Sequence, residues 1–264
     1  FLWLHYMDVH HPYDPPAAYQ RRFRDDVVAD REAVRLRRRM LEAPDDVSEA
    51  DLATIRDLYD AELAYVDSEV GRLLEGVREA WDGDPVVAVT ADHGEELGDH
   101  GGFSHSATFY DEVLHVPLVV ADGERETSDD LVGLLDLAPT LVDAAGLAVP
   151  EGFEGSSLLD ARDRTDVVAE WADTDDGADA RRFAVRTTDW KYVRLADGTE
   201  RLFDLEADPA ERENVVEAHP AVAETFRDRL AAHRELLADS SGDGRRVEMD
   251  EAVARRLRRL GYQE

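Results

Sequence analysis

Apolar side chains at Leu52, Ile55, Tyr59, Leu63, Val66, Val70, Leu73 and Val77 recur at intervals of three and four, the spacing that lays one apolar stripe along a helix. Ser48, three residues ahead of Asp51, has the signature of a capping start. The pattern therefore predicts a long helix lying across the face of a sheet. An Arg-rich stretch at 29–40 predicts a second, solvated helix. Three other runs are largely apolar over a few residues: Phe1 to Met7, Val86 to Ala91 and Val116 to Val120. Such runs suit strands buried on both faces of a parallel sheet. His10-His11-Pro12-Tyr13-Asp14-Pro15-Pro16 follows the first of them as a loop stiffened by proline. Asp136 to Ala145 reads as a helix stopped by Gly146.

Near residue 165 the period changes to two. Val167 to Trp171, Phe183 to Thr187, Lys191 to Leu195 and Arg201 to Leu205 alternate and are separated by Asp- and Gly-rich turns, which predicts a small antiparallel sheet. Residues 219–238 form an amphipathic pattern, 240–244 a link and 247–261 a last helix. No internal repeat is present. Strand, helix and strand in succession predict a mixed α/β fold, followed by a smaller sheet-and-helix part. Asp204, Asp208 and Asn214 fit turn formation without any chemistry.

Composition narrows the partners. Among 264 residues, 61 acids stand against 30 bases, a formal net charge of −31, which repels nucleic acid and anionic membranes. Lys191 is the only lysine, so nearly all positive charge is arginine. An acid surface with scarce lysine predicts a high-salt source, where cations screen the self-repulsion. There is no cysteine, so disulfides, thiolate metal sites and cysteine nucleophiles are excluded within these residues. No run approaches the roughly 20 apolar residues of a membrane span. The start at Phe1 has no initiating methionine and sits inside a predicted core strand, an expectation of further residues upstream. The compartment, cytoplasmic or exported, stays open.

The predicted strand at 86–91 ends in Asp92-His93-Gly94. Open α/β sheets collect ligands beyond strand carboxyl ends, and a carboxylate beside an imidazole can hold a divalent cation. A helix cap is the plainer reading of the same residues. Asp8-Val9-His10-His11 would reach the same sheet edge if its strand ran parallel to the one at 86–91, and Gly101-Gly102-Phe103-Ser104-His105 lies close behind in sequence. An imidazole there can donate to a bound oxyanion or protonate a departing oxygen. His5, His11, His100 and His115 fit surface or capping roles.

Taken in order, Leu4-His-Tyr-Met-Asp-Val-His-His-Pro-Tyr13, Leu58-Tyr-Asp-Ala-Glu-Leu-Ala-Tyr-Val-Asp67 and Thr90-Ala-Asp-His-Gly-Glu-Glu-Leu-Gly-Asp-His-Gly101 resemble the sulfatase branch of the alkaline phosphatase superfamily. Tyr110-Asp-Glu-Val-Leu-His-Val-Pro-Leu118, Asp136-Leu-Ala-Pro-Thr-Leu141, Gly152-Phe-Glu-Gly-Ser-Ser-Leu158, Trp190-Lys-Tyr-Val193, Leu202-Phe-Asp-Leu-Glu-Ala-Asp-Pro209 and Leu260-Gly-Tyr262 resemble its later blocks.

The resemblance implies an alkaline phosphatase-like mixed sheet flanked by helices. On this reading residues 1–160 are the C-terminal part of the catalytic α/β domain, and 161–264 are a subdomain with a small antiparallel sheet and terminal helices. Asp92 and His93 would ligate Ca2+ or Mg2+, while His10 contacts the sulfate and helps the leaving oxygen depart. His105 would share that work, standing where lysine is commoner. Lys191 would touch substrate or form a structural ion pair. The family's formylglycine motif, Cys- or Ser-x-Pro-x-Arg, and two further metal-binding aspartates lie in an N-terminal region that these residues do not match. The expectation is a C-terminal portion, inactive alone, of an enzyme in which a formylglycine hydrate attacks sulfur. The substrate would be a small-molecule or glycan sulfate ester. Two alternatives stand beside this: a phosphonate or phosphodiester hydrolase of the same superfamily, and a non-catalytic binding or structural fragment.

Overall fold

Pro16 opens a single helical turn, α1 (Ala17–Gln20), where a fixed φ suits the start of a helix. In this computed structural model, residues 1–81, 83, 85–105, 108–121, 127–160, 164–171 and 181–240 are described. The predicted final helix at 247–261, the link at 241–244 and the Leu260-Gly-Tyr block lie outside them. The Arg-rich stretch forms α2 (Asp30–Glu42). It is not wholly solvated: Ala33, Leu36 and Met40, three and four apart, are buried on one face.

The long helix α3 spans Glu49–Ala80, and its start is the expected capping box, with Ser48 and Asp51 each satisfying the other's backbone N–H. Its N-terminal half buries Ile55, Leu58 and Ala61; the first two join Leu36, Met40, Tyr13 and Phe103 in one apolar cluster. Leu63, expected in the stripe, is exposed instead. The helix packs against α1, where Tyr19 Oη meets Ser68 Oγ at 2.6 Å. Among the described residues it packs against β2, one strand of a two-stranded sheet, rather than across a broad sheet face.

Next come β1 (Val87–Thr90), β2 (Glu96–Leu97), β3 (Phe103–Ser104), α4 (Asp111–Leu114) and β4 (Leu118–Ala121). β1 and β4 pair antiparallel, Val87 opposite Ala121, not in the parallel arrangement their apolar runs suggested. Nor are they core strands on both faces. Among the described residues this ribbon has two strands, so nothing covers its outer face, and Val89 and Val119 are exposed. The opening run forms no strand either. Phe1, Leu2, Trp3 and Leu4 are exposed, since no strand among the described residues lies beside them to complete a ladder.

A 3-10 turn at Leu134–Asp136 leads into α5 (Leu137–Ala144), and Gly146 at φ +70 stops it as expected. The buried Asp136 carboxylate accepts from Gly133 N, Ser156 N and Arg164 Nη2, which accounts structurally for both blocks around it. The alternating segments form β5 (Val167–Trp171), β6 (Arg182–Arg186), β7 (Trp190–Arg194) and β8 (Glu200–Asp204), three of them one residue earlier than predicted. They make the expected antiparallel meander in the order β5-β6-β7-β8. Asp204 accepts from the N–H groups of Glu206 and Ala207, and Asn214 fastens β8 through Leu202 N. α6 (Pro220–Ser240) closes the described chain, with Ala223, Phe226 and Leu230 buried. Two compact units are distinguished, Phe1–Ala218 and His219–Glu264. Among the described residues no helix is long and apolar enough to cross a membrane.

Candidate active site

β1 ends at Thr90, and two residues later Asp92 and His93 stand at its carboxyl end. Gly94 sets the path of the chain beyond them. Its N–H donates to Val113 O at 2.8 Å, and a Cβ there would lie 2.0 Å from Glu112 O, so only glycine lets the junction close on α4. The chain then enters the β2–β3 hairpin, with Glu96 opposite Ser104. Gly98 and Gly101 take φ of +84 and +82 in the connecting loop. Inside that loop the buried Glu96 carboxylate accepts from His100 N and Gly102 N. Neighbouring residues of an extended chain face opposite ways. Glu96 therefore serves the loop, while Glu95 turns the other way, toward His105.

The hairpin and the proline loop bring three imidazoles together. His93 and His105 stack with ring centres 4.2 Å apart, and His10 lies 5.2 Å from His105. His11 also joins the group, 4.2 Å from His10. It is buried, not the surface residue its sequence context suggested, because its Nδ1 accepts from Arg37 Nε on α2 at 3.3 Å. His10 Nδ1 donates to His11 O at 2.8 Å. Burial lowers the pKa of His10, and His105 and His93 push it the same way; burial and His10 lower that of His11. Both rings are therefore mainly neutral at pH 7.

His93 Nδ1 lies 2.9 Å from Gly94 O. A carbonyl only accepts, so Nδ1 carries the hydrogen and Nε2 of the neutral ring carries the lone pair. That Nε2 is buried with no hydrogen-bond partner among the described residues, 3.8 Å from Asp92 Oδ1. An imidazole pinned through Nδ1–H to a carbonyl, with an unsatisfied Nε2 facing a carboxylate, could serve as one ligand pair for a divalent cation. The Asp92 side chain is 61% exposed and so is open to an ion from solvent. Among the described residues no group of three or more His, Cys, Asp or Glu is assembled for a metal. The fit is thus one oxygen and one nitrogen donor, with further ligands needed from elsewhere.

Three groups at the site lie within the resembling blocks but have no role that the sequence assigns. Glu95, its side chain 4% exposed, lies 3.3 Å from His105 Nδ1. Tyr13 Oη donates to the other Glu95 oxygen at 3.0 Å, and burial with that carboxylate raises its phenol pKa. Behind them on α3, Glu62 is buried beside Asp8. Burial, with the neighbouring Asp8 charge, pushes its pKa up to about 8. The alternation along 95–96 is the available signal for Glu95; nothing local in the sequence marks Glu62, whose position in the helical stripe is ordinary.

Lys191 is resolved as a structural residue. It is fully buried, its Nζ 2.6 Å from both Asp111 Oδ1 and Glu211 Oε1 and 3.0 Å from Phe109 O. Its partners are interior carboxylates, not the acidic surface. His100 caps a loop, its Nε2 donating to Ala210 O, and stacks on Tyr110. His5 and His115 are exposed.

The chain is similar to known proteins along most of its length. A profile of the sulfatase family matches residues 1–147, and one of the C-terminal part of N-sulphoglucosamine sulphohydrolase matches residues 98–236. The chain is 33% identical over 208 residues to a choline-sulfatase of Rhizobium meliloti, covering 73% of this chain and 40% of that protein. It is 32% identical over 195 residues to a Delta 4,5-hexuronate-2-O-sulfatase of Bacteroides thetaiotaomicron, again covering 40% of the relative and 67% of this chain. Among solved structures, a phosphonate monoester hydrolase of Agrobacterium radiobacter superposes with a TM-score of 0.70 at 25% identity, over 87% of this chain and 55% of that one.

Proposed function

Because the chain belongs to the sulfatase family and has its alkaline phosphatase-like fold, we propose that it supplies the metal-binding and leaving-group side of a sulfuric ester hydrolase. The carrying observation is the convergence of His10, His93 and His105 with the unsatisfied His93 Nε2 beside Asp92. Asp92 and His93 would hold Ca2+ or Mg2+. Bound there, the cation supplies Lewis-acid polarisation of sulfate oxygens. His10 and His105 orient the ester and manage the proton of the departing alcohol oxygen. Neutral His10 has its Nδ1–H committed to His11 O, so Nε2 must be protonated before it donates to that oxygen, and an approaching anion favours this.

The chain spans 40% of the length of the first curated relative, and catalysis as in the whole relatives, with a formylglycine nucleophile, belongs to the proposal. So does a high-salt working medium, supported by the charge of −31. The substrate class we favour is a small-molecule or glycan sulfate ester, supported by the relatives that act on choline sulfate and on a sulfated hexuronate. A second reading, phosphonate hydrolysis, is favoured by the likeness to the Agrobacterium enzyme.

The test is hydrolysis of 4-nitrophenyl sulfate, 4-nitrophenyl phosphate and a phenylphosphonate monoester by a longer reading frame that contains this chain, which alone is expected to be inactive. Preference for the sulfate ester, lost on chelation, is expected; preference for phosphonate would replace the reading. Asp92→Ala and His93→Ala should each weaken Ca2+ or Mg2+ binding at least about tenfold by calorimetry. Unchanged affinity in both would remove the metal assignment.

A further inference from the structure

We infer that Glu95 is the positioning residue of His105, with Tyr13 as the clamp that holds Glu95. The inference rests on reading His105 as a leaving-group histidine. A buried carboxylate is unfavourable unless both oxygens are satisfied, and here both are engaged by site residues. Oε1 lies 3.3 Å from His105 Nδ1 and Oε2 accepts from Tyr13 Oη at 3.0 Å. The geometry is built into the fold from two sides. Glu96 pairs with Ser104 in the hairpin, and one further step along the same register sets Glu95 opposite His105. Tyr13 arrives from the proline loop, its ring buried against Tyr59 of α3.

The chemical reason lies in the residue at 105. A lysine, commoner at this place in the family, offers one nitrogen. An imidazole has two and must be oriented. A carboxylate only accepts, so it holds the hydrogen on His105 Nδ1 and turns Nε2 to the ester; Nε2 then carries a lone pair, and it donates to the departing oxygen after taking up a proton from solvent. The same contact fixes the ring plane that stacks on His93 at 4.2 Å. Sequence-adjacent Glu96 has no part in this, being engaged with loop N–H groups.

Two measurements decide it, one of them independent of turnover. Long-range 1H–15N correlation spectra of the histidine rings should show His105 protonated at Nδ1 in the wild type and in Glu95→Gln, whose amide oxygen still accepts. In Glu95→Leu the proton should move predominantly to Nε2. Kinetically, in a longer reading frame that contains this chain, Glu95→Leu should lower kcat about 10- to 100-fold with little change in KM. The loss should be larger for phenyl sulfate than for 4-nitrophenyl sulfate, whose better leaving group needs less proton donation. Glu95→Gln should recover most of the rate. Tyr13→Phe keeps the aromatic packing and should give a smaller loss with the same leaving-group dependence, which serves if Glu95→Leu does not fold.

An Nε2-protonated His105 in the wild type would overturn the inference. Equal effects of Leu and Gln, or losses independent of the leaving group, would do the same by reducing Glu95 to a packing residue. Failure of the hydrolase reading is separate: a longer reading frame containing this chain that turns over none of the sulfate, phosphate or phosphonate esters defeats that reading, while the ring spectra still decide the Glu95 contact.

Discussion

Glu62 places a carboxyl group where charge is poorly tolerated. It is 4% exposed, and burial with the neighbouring Asp8 raises its pKa to about 8. The folded state therefore prefers the protonated form, which can share its proton with Asp8 while accepting from the Asp14 N–H. This contribution is complete below the unfolded value near 4.5 and is lost as pH rises through about 8. Glu62→Gln keeps both hydrogen-bonding functions without the charge. It should stabilise the protein at pH 8.5 by roughly 2–4 kcal/mol and leave stability at pH 4.5 nearly unchanged. Urea unfolding at the two pH values measures this, and an equal effect at both would show that Glu62 is ionised without penalty in the fold.

At the level of elements, β7 and α4 are joined by charge. Lys191 reaches from the sheet to Asp111 at the start of α4 and to Glu211, and Arg186 on β6 adds a second cation to Asp111. Burial raises the Asp111 pKa, but Arg186 and Lys191 more than offset it and hold the carboxyl low. Replacing Lys191 with methionine preserves the volume and leaves the Glu211 side chain buried without its cation. A loss of about 3–5 kcal/mol is expected, read as a lower urea midpoint at constant m-value; a loss under about 1 kcal/mol would mean that solvent replaces the lysine. Because α4 abuts Gly94, metal binding at Asp92 and His93 should weaken in the same variant. Much of this level is legible in the sequence. The capping box at Ser48, the Gly146 stop and the four-stranded meander follow from local rules that the tertiary fold does not contradict. The errors share one cause: an apolar run states that a segment is extended, but not what lies beside it. Phe1–Met7 and Val86–Ala91 therefore suggest a parallel partner that the described chain does not place there. The convergence of His10, His93 and His105 is legible in the sequence from the end of the 86–91 run and from the resembling blocks, and their roles rest on the resemblance. Glu95 and Glu62 are not legible there, because a buried acid looks like any other acid until its neighbours are known.

For the whole molecule, the governing quantity is the net charge of −31. Several arginines are already engaged with nearby acids, as in the Arg35–Glu32, Arg72–Glu69 and Arg227–Glu224 pairs one turn apart, so the excess acids repel one another across the surface. Surface pairs of this kind are worth little, whereas the repulsion grows with every unpaired acid. Salt weakens both, and repulsion is the larger. The thermal midpoint should therefore rise as KCl is increased from about 0.05 to 0.5 M, by several degrees if screening recovers about 2 kcal/mol. The shape of the curve identifies the cause. The Debye length falls from about 10 Å at 0.1 M to about 3 Å at 1 M, so a screening effect is steep at first, flattens within this range and is the same for KCl and NaCl. A rise proportional to concentration and dependent on the anion would instead indicate strengthened apolar burial. On the proposed sulfuric ester hydrolase reading, the same field acts on the substrate of the longer protein. An anionic sulfate ester approaches a surface of like charge, so kcat/KM on such an ester should increase with salt over the screening range, while a neutral ligand's affinity should not. A fall in kcat/KM over that range would mean that the imidazole cluster, with the proposed cation, already reverses the potential well beyond the mouth of the site.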